Sequence, residues 1–235
     1  MFQSFYESFW QHPLLLWAPS VFFLVFVRPR GSKVARAALV FAVLSILDAF
    51  FTGPLIKRWA LGPAASNAVM IFFVLLGDFR FFYFIERFSE AKDRNVKLSV
   101  QRAAIRAAGW TLIVPVIQGA LTRLLPGVFD NSGVPNNVRY TFLCYEILFL
   151  VLAVFLWWRV IPRRALHADI RRWLSELCVF AMTYYALWSL ADLVILAGSD
   201  VGYLLRVVPN VLYYGLFVPF VFWRAPPRLK KGSTA

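Results

Sequence analysis

The stretch Ser66 to Phe88 constrains the chain most, because it is about two dozen mostly apolar residues, long enough to cross a bilayer, with Asp78 and Arg80 near its centre. Successive helical residues turn by about 100°, so side chains at i and i+2 point to nearly opposite sides. Asp78 and Arg80 therefore cannot neutralise each other, and each needs a partner from another helix or from a water-filled space.

Other segments of the same kind run at 13–28, 34–57, 104–125, 138–161, 173–197 and 203–223, which with 66–88 makes seven. The chain is 60% apolar, 18% aromatic and only 16% charged, where a soluble domain has about a quarter of its residues charged. An all-α bundle of seven transmembrane helices follows, a single membrane domain over residues 1–235 with a short flexible tail at 225–235. The formal net charge of +13 would suggest nucleic acid in a soluble chain. Here the basic residues lie between apolar segments, where topology and lipid headgroups account for them, and no nucleic-acid partner is expected.

The same basic residues orient the bundle. Arg28, Arg30, Lys33 and Arg36 crowd the first connection, Arg87, Lys92, Arg94, Lys97, Arg102 and Arg106 the third, and Arg159, Arg163, Arg164, Arg171 and Arg172 the fifth. The second has only Lys57 and Arg58, the fourth is flanked by Arg123 and Arg139, and the sixth has nearby Arg206. The positive-inside rule then places the amino terminus outside and the carboxyl terminus inside. Trp10, Trp17, Trp59, Trp110, Trp157, Trp158, Trp173 and Trp223 fall near the expected interfaces, whereas Trp188 lies within the sixth span. The amino terminus has no Lys or Arg before its first apolar run, so the first helix is expected to stay rather than be cleaved. This is the plan of an integral, multi-pass protein of a bacterial inner (plasma) membrane, with lipids as partners and basic inner loops as a docking surface for a protein partner.

An internal repeat is expected from Ser45-x-x-Asp48, Gly53 and Asn67, which parallel Ser189-x-x-Asp192, Gly198 and Asn210 within one residue of spacing. A 3+1+3 arrangement of helices, with the fourth as connector, fits this pattern.

Polar residues inside the spans give the candidate site. Ser45, Asp48 and Thr52 share one face of the second helix, and Asn67, Val74 and Asp78 one face of the third. Gln118 falls on the fourth, Glu146 beside Tyr145 on the fifth, Tyr185, Trp188, Ser189 and Asp192 on the sixth, and Arg206, Asn210 and Tyr213 or Tyr214 on the seventh. An ionisable group costs about 2.5–3.5 kcal/mol at a helix centre, so Asp48, Asp78, Arg80 and Glu146 are expected to serve function. A polar pair between membrane helices contributes only about 0.6 kcal/mol, and Gln118, Thr52, Ser45 and Ser189 are expected to be interhelical glue. Asp48, Asp78 and Glu146 are expected to converge on one cavity walled by Tyr185, Trp188, Asn210 and Tyr214. Asp192 and Arg206 are close enough in depth to pair structurally. Arg80 is the lone basic residue deep in the apolar layer, so at least one acid is left over to take up a proton or draw in a cation.

Seven spans, an outside amino terminus and the aromatic run YYALWSLAD resemble the plan of microbial rhodopsins. All six lysines, Lys33, Lys57, Lys92, Lys97, Lys230 and Lys231, lie at span ends or outside, so the seventh helix offers no amine and no Schiff-base retinal is expected. The plan is also similar to that of the SWEET and PQ-loop group, whose Pro-Gln pair is absent here. The chain is assigned to neither.

Cys144 and Cys178 both lie within spans, and His12 and His167 fall on opposite sides of the membrane, which gives no metal-ligand spacing. Three functions fit. The first is a transporter or carrier of a small organic or amphiphilic molecule, with proton coupling through the buried acids. The second is a seven-helix ligand-binding sensor or accessory protein acting through a partner. The third is an intramembrane lipid-modifying enzyme with Asp48 and Asp78 as acid and base, for which no residue stands out as a nucleophile.

Overall fold

The computed structural model describes residues 1–8, 18–28, 32–51, 62–89, 100–129 and 138–230. Among these the chain is almost entirely helical, with no strand. A short α1 (Phe2–Tyr6) is followed by α2 (Ala18–Phe26), α3 (Lys33–Phe51), α4 (Pro63–Phe88) and α5 (Val100–Leu124), then a single turn α6 (Pro126–Phe129). α7 starts at Val138–Phe155 and continues through a π-helical turn, Leu156–Val160, into Ile161–Arg164. α8 is Ala168–Leu196, and α9 starts at Val201–Asn210 and continues through a second π-helical turn, Val211–Leu216, into Phe217–Arg224. A last turn, α10, is Pro227–Lys230.

Five helices among the described residues are long and apolar enough to cross a membrane: Ala68–Phe88, Val100–Leu124, Arg139–Arg164, Ala168–Leu196 and Val201–Arg224. They coincide with the expected third to seventh spans, to within about five residues at each end. In the first two expected spans the described residues form α2 and α3, which are not among these five. Thr52, Gly53, Lys57, Arg58 and Trp59 lie outside the described residues, as do Trp10, His12, Trp17, Arg30, Lys92, Arg94, Lys97 and Lys231.

Local chemistry explains the helix ends. Proline at the first turn suits α4, where a missing N–H loses no intrahelical bond. Ser32 caps α3 by accepting from the amide of Ala35 at 3.1 Å. α8 stops at Gly198, whose φ of +86° is the left-handed conformation glycine adopts freely after a helix. The π-helical turn of α9 lies between Pro209 and Pro219, and that of α7 just before Pro162; each proline withdraws a backbone donor and crowds the carbonyl four residues before it.

α8 lies at the centre, packed along α7 on one side and the first half of α9 on the other, while α4 packs along α5. The core is aromatic: Phe81, Phe82, Phe84, Phe149, Trp173, Tyr184 and Phe217 are all essentially inaccessible. Trp173, expected at an interface, is instead buried and donates its indole N–H to the carbonyl of Val221 at 3.0 Å. Large apolar side chains such as Phe22, Val40, Phe72, Val116, Val151 and Leu193 stand exposed around the outside. In water such a surface would aggregate; against lipid it is the expected exterior of a membrane protein. Two close approaches hold the bundle tight. A Cβ on Gly77 would lie 1.6 Å from the Tyr213 hydroxyl, and one on Gly202 2.7 Å from the Ala191 carbonyl, so these helices meet where there is no side chain.

Part of the tail expected to be flexible is tied down: Ser32 donates to the carbonyl of Leu229 at 2.8 Å, and Lys230 to that of Trp223 at 2.7 Å. Residues 231–235 lie outside the described set.

Candidate functional site

α4 carries both Asp78 and Arg80, and they serve two different places. Asp78 faces α7 and α8, where its carboxylate accepts one phenol from Tyr145 and another from Tyr185, one on each oxygen. Arg80 faces α3 and α9, where it donates to the Ser45 hydroxyl and, at 2.5 Å, to the main-chain carbonyl of Tyr213. That carbonyl belongs to the π-helical turn of α9, whose altered hydrogen-bond ladder makes a main-chain acceptor available. The Arg80 guanidinium also stacks over the Tyr213 ring at 4.2 Å and the Phe217 ring at 5.0 Å.

A second charged group lies where α7, α8 and α9 meet. Arg206 donates to Asp192 and, at 3.4 Å, to Oε1 of Glu146; Arg139 approaches Asp192 at 3.6 Å. Two arginines thus face two carboxylates in a setting almost closed to solvent, with Glu146 only 4% exposed and Asp192 fully buried. Oε2 of Glu146 has no hydrogen-bond partner among the described residues.

Between these groups lies a cavity of about 660 Å³, within the range of small-molecule sites. α4, α5, α7, α8 and α9 form its walls, and α1 contributes Tyr6 and Glu7. Asp78, Glu146, Tyr145, Tyr185, Trp188, Arg206, Asn210, Tyr213 and Tyr214 line it, together with the apolar side chains of Met70, Ile71, Val74 and Leu75. Aromatic contacts stiffen the wall. Tyr185 stacks on Phe149 at 4.0 Å, Trp188 packs against Tyr213 at 5.1 Å, and the Trp188 indole N–H donates to Asn210 Oδ1 at 2.9 Å. Gln118 both lines the cavity and donates to the carbonyl of Thr141 at 2.7 Å, tying α5 to α7.

The structure divides the nine candidate residues. Asp78, Glu146, Tyr185, Trp188, Asn210 and Tyr214 share the cavity wall. Asp48 and Arg80 do not: with Ser45 and Gly77 they lie in a small crevice between α3 and α4, on the other side of α4. The expected convergence of three acids is therefore corrected to two, because the face of α4 that meets α3 is not the one that carries Asp78. Asp192 sits behind the wall as the partner of Arg206 and Arg139. Arg80 also proves not to be the lone buried base, since Arg206 is just 7% exposed.

Three contributors escape a sequence reading. Tyr6 reaches in from α1, within 3.3 Å of both Arg206 Nε and Asn210 Nδ2. Burial opposes ionisation of its phenol, but the Arg206 guanidinium and the hydrogen bond from Asn210 outweigh it and hold the group below its ordinary value. α1 is fixed there by Asp200, whose carboxylate accepts from the amine of Met1 at 2.9 Å and from the amides of Phe2 and Gln3 at 2.7 and 2.9 Å. These donors keep the Asp200 carboxyl below the usual carboxylate range. Glu86, near the other end of α4, is also buried, bonded to Arg164 and to the Trp110 indole at 2.8 Å, with Arg106 at 3.9 Å.

No group of three or more potential metal ligands occurs among the described residues. No family model, curated protein or solved structure matches the chain.

Proposed function

We propose that this chain is a seven-helix protein of the bacterial inner membrane, amino terminus outside, that carries a small organic or amphiphilic molecule across the bilayer. The observation that carries the proposal is the cavity of about 660 Å³, where two buried carboxylates, Asp78 and Glu146, face an aromatic wall. Interhelical glue would fill such a space with side chains; a space with charged groups at its wall is what an intramembrane ligand site requires. Asp78 and Glu146 are also the groups through which proton coupling would act. Prolines 115, 209 and 219 interrupt the ladders of α5 and α9 and supply points where these helices can bend.

A ligand-binding sensor is the second reading, supported by α1. Tyr6 and Glu7 line the cavity, so a ligand that pushed them aside would displace α1 and change the surface that a partner would meet.

Uptake into proteoliposomes separates the two. Among fluorescent amphiphiles of neutral, cationic and anionic charge, the carrier reading expects accumulation of at least one, abolished by Val74→Trp, which fills the cavity. Binding without uptake for every probe would overturn the carrier reading and leave the sensor.

A further inference from the structure

We infer that the occupant of the cavity is a protonated amine on an apolar body, with its ammonium at the open oxygen of Glu146 and its body against Trp188 and Tyr185. This rests on the cavity being a ligand site, as proposed above, and names the chemistry of the ligand.

Charge is the first ground. Glu7, Asp78 and Glu146 line the cavity together with Arg206, so among the described lining residues three carboxyl groups meet one guanidinium. Behind the wall Asp192 is shared by two arginines, Arg139 at 3.6 Å and Arg206. The charge of Arg206 is drawn toward Asp192, the carboxylate it bonds most closely, and its longer contact to Glu146, 3.4 Å, engages Oε1 alone.

The second ground is an acceptor without a donor. Glu146 lines the cavity, and its Oε2 is buried with no hydrogen-bond partner among the described residues. An unsatisfied acceptor on a buried charged group is costly, and an N–H donor entering the cavity would remove that cost. Asp78 does not compete for this role, since both its oxygens already accept phenols. The third ground is the aromatic wall: the ring faces of Trp and Tyr attract a cation electrostatically, and most strongly where water is excluded. An anion finds the opposite on each count, and a neutral alcohol gains neither the charge nor the cation–π contribution.

A matched series decides the matter: phenylbutylammonium, phenylbutanol and phenylbutyrate, titrated calorimetrically at neutral pH into the full chain in phosphatidylcholine nanodiscs. The ammonium is expected to bind about tenfold or more tighter than the alcohol, with the carboxylate weakest. Glu146→Gln is expected to shrink the ammonium preference to about twofold. The order in the unmodified protein stands as a test even if that variant does not fold. Equal or tighter binding of the alcohol or the carboxylate would overturn the amine assignment while leaving the cavity a ligand site, as would a preference that survives Glu146→Gln. Binding of none of the three would overturn both.

Discussion

Asp78 and Arg80, two residues apart on α4, turn to different helices: Asp78 takes the phenols of Tyr145 and Tyr185 from α7 and α8, while Arg80 reaches Ser45 on α3 and the Tyr213 carbonyl on α9. One helix thereby fastens both halves of the bundle. Arg80→Leu leaves the Ser45 hydroxyl and the Tyr213 carbonyl without a buried donor and is expected to lower stability by about 1–3 kcal/mol. Tyr145→Phe, which removes one of two donors to Asp78, is expected to cost about 1–3 kcal/mol. Thermal unfolding in detergent checks both, and an unchanged melting temperature for Arg80→Leu would contradict the buried role of Arg80.

The glycines give a sharper contrast. Gly77→Ala would place a methyl group 1.6 Å from the Tyr213 hydroxyl, and Gly202→Ala would place one against the Ala191 carbonyl. Each is expected to destabilise by about 1–3 kcal/mol through overpacking. Gly119→Ala meets open space, and its expected effect is within about 0.5 kcal/mol. Equal melting temperatures for all three would show that α4, α8 and α9 do not approach as closely as described.

The start of α1 is bonded to Asp200 and its end, through Tyr6, to Arg206 and Asn210, which makes its docking testable. Asp200→Ala is expected to release α1 and make Tyr6 reactive toward iodination at neutral pH, because the amides of Phe2 and Gln3 lose their acceptor. The Asp200 carboxyl is lowered in the folded protein, so its contribution is present above the unfolded carboxylate value. It is lost as the pH falls through the lowered folded value. Unchanged Tyr6 reactivity in Asp200→Ala would place the anchor elsewhere.

Orientation in the membrane follows from the distribution of basic residues. Single cysteines introduced at Asn131 and Ser199, with Cys144 and Cys178 replaced, are expected to be labelled by impermeant reagents from outside, and those at Lys97 and Lys230 from inside. Reversed labelling would overturn the proposed orientation of the termini.

Depth was legible in the sequence and azimuth was not. Hydropathy placed Asp78, Glu146, Tyr185, Trp188, Asn210 and Tyr214 inside the apolar layer, and the opposed directions of Asp78 and Arg80 followed from helical geometry alone. Asp48 lies at similar depth, yet nothing local says which face of α4 its helix meets, and it belongs to the crevice with Arg80 rather than to the cavity. Tyr6 was beyond reach because its position depends on Asp200, nearly two hundred residues away in the chain. Trp173 shows the same limit, since a tryptophan near the end of a span can reach a headgroup or, as here, a carbonyl on a neighbouring helix. Glu86, beside Arg87 at the start of a basic connection, carries no local sign that Arg164 and Trp110 bond to it.

The claim that an organic molecule is held between α4, α5, α7, α8 and α9 is tested most directly by a density map of the full chain in nanodiscs with saturating phenylbutylammonium. The account predicts density for the probe within hydrogen-bonding distance of Glu146 and in contact with the Trp188 ring. A cavity closed by its own side chains, or a probe found only on the lipid-facing surface, would contradict it.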